Sequence, residues 1–132
     1  MSKRLNISSG VKWEDIIGYS RAVKIGNVIE VAGTTALNEE GNLVGPKDPY
    51  EQTRFIIAKI EKVLISAGST LADIVRTRIF TTDISRWEEI GKAHGEFFRE
   101  IKPASTMVEV RSLINPGMLV EIEATVIIQE NQ

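Results

Sequence analysis

Apolar residues recur at helical spacing in two stretches of the chain and alternate with polar ones through most of the rest. In the first stretch Phe55, Ile56, Ile60, Val63, Leu64 and Ala67 fall on one helical face. Asp48-Pro49 ahead of them supplies an N-cap acceptor with proline at the first helical position, and Gly68 supplies the stop. The second predicted helix opens at Ser85-Arg86-Trp87-Glu88, read as a capping box. Its inner stripe is Trp87, Ile90, His94, Phe97, Phe98 and Ile101, and Lys102-Pro103 ends it.

The remaining periodic segments read as strands. Ser20–Ile25 and Val28–Thr35 flank Gly26-Asn27, a two-residue hairpin signal. Ile74–Asp83 is β-branched and alternating, and Ser105–Leu113 and Met118–Gln129 follow as two more strands. The order strand, strand, helix, strand, helix, strand, strand predicts an α+β layer pair, a mixed β-sheet with two helices on one face. On the last strand Val120, Ile122, Ala124 and Val126 share one face, while Leu119, Glu121, Glu123 and Thr125 share the other. On the strand before it Thr106, Val108 and Val110 are expected to pack on the helices, leaving Ser105, Met107, Glu109 and Arg111 on the open side. A semi-polar open face that still carries Met107 and Leu119 suits cover by another subunit, so a homo-oligomer with its pocket at the junction is expected.

Length and composition narrow the function. The 132 residues, 42% hydrophobic and 26% charged, imply a single domain spanning 1–132. No cysteine is present, which removes disulfides, thiolate metal sites and cysteine nucleophiles, and one histidine cannot build a histidine-rich metal site. With 16 basic and 18 acidic residues the net charge is −2, a poor footprint for binding nucleic acid. No apolar run is long enough for a membrane span, and the first residues lack a signal peptide's apolar stretch, so a cytoplasmic location is expected.

Few residues carry chemistry. His94 is read as a helix residue on or beside the apolar stripe, because no Ser, Asp or Cys partner stands at a recognisable spacing. Glu121 and Glu123 share a strand face. Either one activates water as a base, or both are solvated or paired with Arg76, Arg78 or Arg111. Tyr19, just ahead of a strand, either closes a pocket or packs as a half-buried aromatic. Gly33 interrupts a strand, which marks a bulge or a close approach of other atoms.

Taken in order, several segments resemble the reactive intermediate deaminase (Rid, or YjgF-like) family over nearly the whole chain. They are Gly18-Tyr19-Ser20-Arg21-Ala22-Val23, Val31-Ala32-Gly33, Pro49-Tyr50-Glu51-Gln52-Thr53, Val75-Arg76-Thr77-Arg78-Ile79-Phe80 and Thr82-Asp83. The most specific is Pro103-Ala104-Ser105-Thr106-Met107-Val108-Glu109-Val110 with Val120-Glu121-Ile122-Glu123-Ala124. The resemblance implies a chorismate-mutase-like α+β subunit, a homotrimer with inter-subunit clefts, and cofactor-free hydrolysis of enamines and imines such as 2-aminoacrylate. It assigns Glu121 to the attacking water and Tyr19 to the cleft, with Gly33 and Thr34 lining it.

One position departs from that pattern. Deaminase members carry an arginine directly after Pro-Ala, where it grips the substrate carboxylate in a bidentate fork, and this chain has Ser105. Met107 is the next pocket-facing position, and Arg111, Arg76 or Arg78 would have to supply the missing cation. The chain is thus expected to bind a small molecule without cofactor or metal and to act weakly or not at all on 2-aminoacrylate. A non-catalytic ligand-binding or protein-interacting trimer is the alternative. The ribonuclease and translation-inhibitor activity attached to some relatives ranks third.

Overall fold

The computed structural model describes residues 3–129. Strand β1 (Arg4–Ile7) and the short helix α1 (Lys12–Ile17) come first, followed by the hairpin β2 (Ala22–Ile25) and β3 (Val28–Thr34). Helix α2 (Pro49–Ser66), β4 (Ile74–Thr81), α3 (Trp87–Phe98), β5 (Ala104–Glu109) and β6 (Val120–Ile127) complete the order. The six strands form one sheet in the order β1-β2-β3-β6-β4-β5. Its neighbours are antiparallel except β4 and β5, which run parallel, so the sheet is mixed as expected.

Helix α2 forms for the reasons its sequence gives. The Asp48 side chain accepts the Glu51 N–H, Pro49 opens the first turn, and Gly68 follows the end at φ 83°. Its buried side chains Ile56, Ile57, Ile60 and Leu64 lie in one core with Ile29, Val31, Ile79 and the inward residues of β6. Gln52, fully buried, donates to Gly45 O and Gly117 O and accepts the Leu119 N–H. One amide thereby ties the loop before α2 and the loop before β6 to the helix.

Three readings need correction. Ser85 and Glu88 do not form a capping box: the Asp83 carboxylate accepts both the N–H and the hydroxyl of Ser85 and caps a 3₁₀ turn, Ile84–Arg86, that leads into α3. Asp83 is the stronger acceptor, so the helix starts two residues after Ser85. Trp87, at 54% exposure, is not on the inner stripe, which runs through Ile90, Ala93 and Phe98. The chain also contains β1 and α1, for which the apolar pattern gave no signal.

The third correction concerns β5. It pairs with β4 in the register Thr77↔Ser105 and Ile79↔Met107, and Thr77 and Ile79 are buried under the helices. Ser105 and Met107 therefore face the helices, while Thr106 and Val108 take the open side beside Arg78 and Phe80. Met107 packs against the core and Val108 is 43% exposed. The larger apolar side chain takes the inner face, and the strand ends at Glu109 rather than continuing to Leu113.

Candidate functional site

The site begins with an irregularity in β3. Val31 pairs with Ala124 and Thr34 with Ile122, so Ala32 and Gly33 together span one position of β6, a bulge. Thr34 is buried, and its hydroxyl donates back to Ala32 O at 2.8 Å, clamping the bulge from the helix side. On the open face the Glu121 side chain lies across Gly33. A Cβ at Gly33 would stand 2.5 Å from Glu121 Oε2 and 2.9 Å from its Cδ. Glycine here leaves room for the carboxylate rather than supplying a special backbone conformation, since its φ is not positive.

Arg21 completes the corner. At 9% exposure it donates from Nη2 to Gly33 O at 2.7 Å, and its own carbonyl accepts the Ala32 N–H. The Tyr19 ring lies over the guanidinium at 5.9 Å and is 37% exposed. Glu121 and Gly33 therefore meet under Arg21, and Tyr19 borders the same guanidinium.

The electrostatics separate the two glutamates. Glu123 pairs with Arg78 across the strands at 3.4 Å. Glu121, half-buried, forms no ion pair among the described residues. Burial pushes its carboxyl pKa above the ordinary value, Arg21 opposes that rise, and Glu123 adds to it. The paired and unpaired readings offered for this couple thus apply to different members of it.

Two further charges close the corner. Burial would raise the Glu14 carboxyl, but hydrogen bonds from Ser9 and Ser8 and the Arg21 charge outweigh it, leaving the pKa low. Lys59 donates to Thr35 O and Leu37 O, and burial, with Arg21 in second place, lowers its pKa. On the open face a groove of 680 Å³ runs between α1 and the sheet, lined by Asn6, Glu14, Tyr19, Glu30, Arg78 and Glu123, among others. Glu123 lines it and Glu121 does not.

Of the residues singled out from sequence, the fold brings Tyr19, Gly33 and Glu121 together around Arg21. Thr34 is adjacent but turned inward. Ser105 lies on the helix side, where Thr77 Oγ1 donates to its hydroxyl at 2.8 Å and stands 3.0 Å from His94 Nε2. Burial lowers the His94 pKa and its ring packs on Phe98 at 4.5 Å, so a neutral structural histidine is what the fold contains. Arg111 is exposed beyond β5, with no side-chain partner among the described residues. Arg21 and Lys59 received no role from sequence, although an arginine opening an apolar strand and a lysine inside the α2 apolar stripe were visible signals.

The family model for endoribonuclease L-PSP matches residues 11–128. The chain belongs to the endoribonuclease L-PSP family. A solved L-PSP relative is Rv2704 of Mycobacterium tuberculosis, from the YjgF/YER057c/UK114 family. It is 50% identical with a TM-score of 0.87, covering 96% of this chain and 100% of that one. The Rid-family protein YyfA of Yersinia pestis is 31% identical with a TM-score of 0.84, covering 96% and 100%. A RutC family protein of Pyrococcus abyssi is 36% identical over 106 residues, 80% of this chain and 83% of that protein. The resemblance to the Rid, YjgF-like group is borne out by these L-PSP relatives, as is the mixed α+β fold. Among the described residues no helix is long and apolar enough to cross a membrane.

Proposed function

We propose that this L-PSP member is a cofactor-free hydrolase of small imines, and of enamines such as 2-aminoacrylate once their imine tautomers have formed by proton transfer from nitrogen to the β-carbon, working in clefts between the subunits of a homotrimer. The observation that carries the reading is Glu121: a half-buried carboxylate without an ion-pair partner among the described residues, laid over a glycine that leaves it room, with its pKa raised by burial. A general base needs an affinity for protons closer to the working pH than a solvated carboxylate has. In the reaction water adds to the C=N carbon and gives a proton to Glu121. That proton passes to the nitrogen, and the carbinolamine collapses to a carbonyl compound and ammonia. Tyr19 is the cleft hydroxyl that steadies the adduct.

Half-buried Phe80 and exposed Val108 on the open face support cover by another copy. Ser105 cannot supply a bidentate cation, a loss of about 1.5–3 kcal/mol for a carboxylate-bearing substrate held there. That absence favours the second reading, a ligand-binding or protein-interacting trimer without turnover. The family's ribonuclease name brings RNA cleavage into view, which the net charge of −2 disfavours.

The test generates 2-aminoacrylate and neutral imines in situ and follows carbonyl release, with Glu121→Gln as control. Turnover of at least one imine is expected, rising with pH through the raised Glu121 pKa and falling about 10²-fold or more in the variant. Wild-type protein that turns over none of them, or a Glu121→Gln variant that retains full rate, would refute it.

A further inference from the structure

Arg21 is a buried charge short of partners. Its guanidinium offers five N–H donors, and among the described residues the one acceptor it meets is Gly33 O. Arg21 Nε is buried and has no hydrogen-bond partner among the described residues. No carboxylate lies within ion-pair distance of Arg21 there, because the nearby acids are held elsewhere: Glu14 by Ser9, Glu121 across Gly33. Buried ionised groups are normally paired and hydrogen-bonded.

The neighbourhood repeats the imbalance. Lys59, whose pKa burial lowers with a smaller push from the Arg21 charge, donates to two carbonyls and meets no carboxylate among the described residues. Arg21 on Gly33 O and Lys59 on Thr35 O and Leu37 O thus both hold backbone carbonyls at the end of β3, with no acidic partner among the described residues. The cover over Arg21 is the Tyr19 ring, a single side chain more than one-third exposed. The three residues just ahead of Arg21, Gly18, Tyr19 and Ser20, help to line the groove, and Arg21 itself lies behind them.

We propose that Arg21, backed by Lys59 and covered by Tyr19, is the anchor of an anion subsite that takes the carboxylate of a small molecule. It rests on the site just proposed for its location, though not on hydrolysis there. Arg21 Nε and its free Nη edges present the parallel pair of donors that a carboxylate accepts. The ligand's other end then points at Glu121, which shares Gly33 with Arg21. This chain would thus hold an acid substrate from β2, at a position other than the one following Pro103-Ala104. A carboxylate from a neighbouring copy is the competing occupant, and the 680 Å³ groove beside Tyr19 favours the small molecule.

The experiment observes the Arg21 Nε–H by ¹⁵N NMR in the wild-type protein during titration with pyruvate, with acetone as the uncharged control. A saturable shift with pyruvate and none with acetone is expected. Arg21→Lys, which keeps the charge but loses the fork, should weaken pyruvate at least about tenfold. Glu121→Gln should bind pyruvate as well as wild type or better, so the subsite survives even if no imine is hydrolysed. An Nε–H unmoved by pyruvate, equal affinity in Arg21→Lys, or an Nε–H that shifts only when the oligomer is diluted apart would each overturn the proposal. The last outcome would assign the anion to a partner subunit. Because the first readout uses wild-type protein, a variant that fails to fold does not remove the test.

Discussion

Gly33→Ala separates the stability of this protein from its chemistry. The new methyl would stand 2.5 Å from Glu121 Oε2, whereas ordinary contact begins at 3.4 Å, so the carboxylate must retreat by about 0.9 Å. The atoms that must move are the far end of a flexible side chain. The Gly33 φ is not in the left-handed region, and alanine in a strand gains about 0.5–1 kcal/mol over glycine. Folding stability should therefore change by less than about 1 kcal/mol in either direction. The carboxylate, pushed outward, loses part of the burial that raises its pKa, so its titration midpoint should fall toward the ordinary value. Displacement of a reacting group by about 1 Å costs on the order of 10²-fold in rate, and imine turnover should drop accordingly. Carboxyl ¹³C titration and thermal unfolding on the same sample measure both effects. A Glu121 midpoint equal to wild type, or a large loss of stability, would refute the packing argument.

Two other perturbations test the scaffold. Gln52→Leu leaves Gly45 O, Gly117 O and the Leu119 N–H without their partner. At about 1–3 kcal/mol per unsatisfied group the loss should exceed about 2 kcal/mol in urea unfolding, and a cost below about 1 would show that water replaces the amide. His94 has a folded pKa pushed below its ordinary 6.5 by burial. Above that value both states are neutral; as pH falls the unfolded chain takes the proton first, so stability declines. His94→Gln should flatten the decline as the pH falls below 6.5, and parallel wild-type and variant profiles would count against it.

The sequence was most legible where an element answers to its own pattern. Helix α2 has its cap, its stripe and its stop written locally, and β6 alternates because its inward residues lie under α2. Gly33 could be read as a bulge or a close approach, and both occur, but nothing local names Glu121 as the group it admits. Strand β5 failed for a physical reason: it lies at the sheet edge, its register is set by β4, and a weak local alternation points its side chains the wrong way. Residues 4–17 form β1 and α1 with Leu5, Trp13, Ile16 and Ile17 left exposed, so no inward stripe marks them. Arg21 is the largest omission. Its burial and bonding depend on the Gly33 carbonyl and the Tyr19 ring, which come together only once β2 and β3 have paired.

The middle of the sheet is occupied by the strand that leaves the ribosome last among the described elements. Until Val120–Ile127 emerges, β3 and β4 have no common neighbour, and the apolar underside of α2 has little to settle on. The contacts that unite the two halves of the sheet therefore span long stretches of sequence, which makes them the slow ones to form. A single strand, Val120–Ile127, is the seam that joins them.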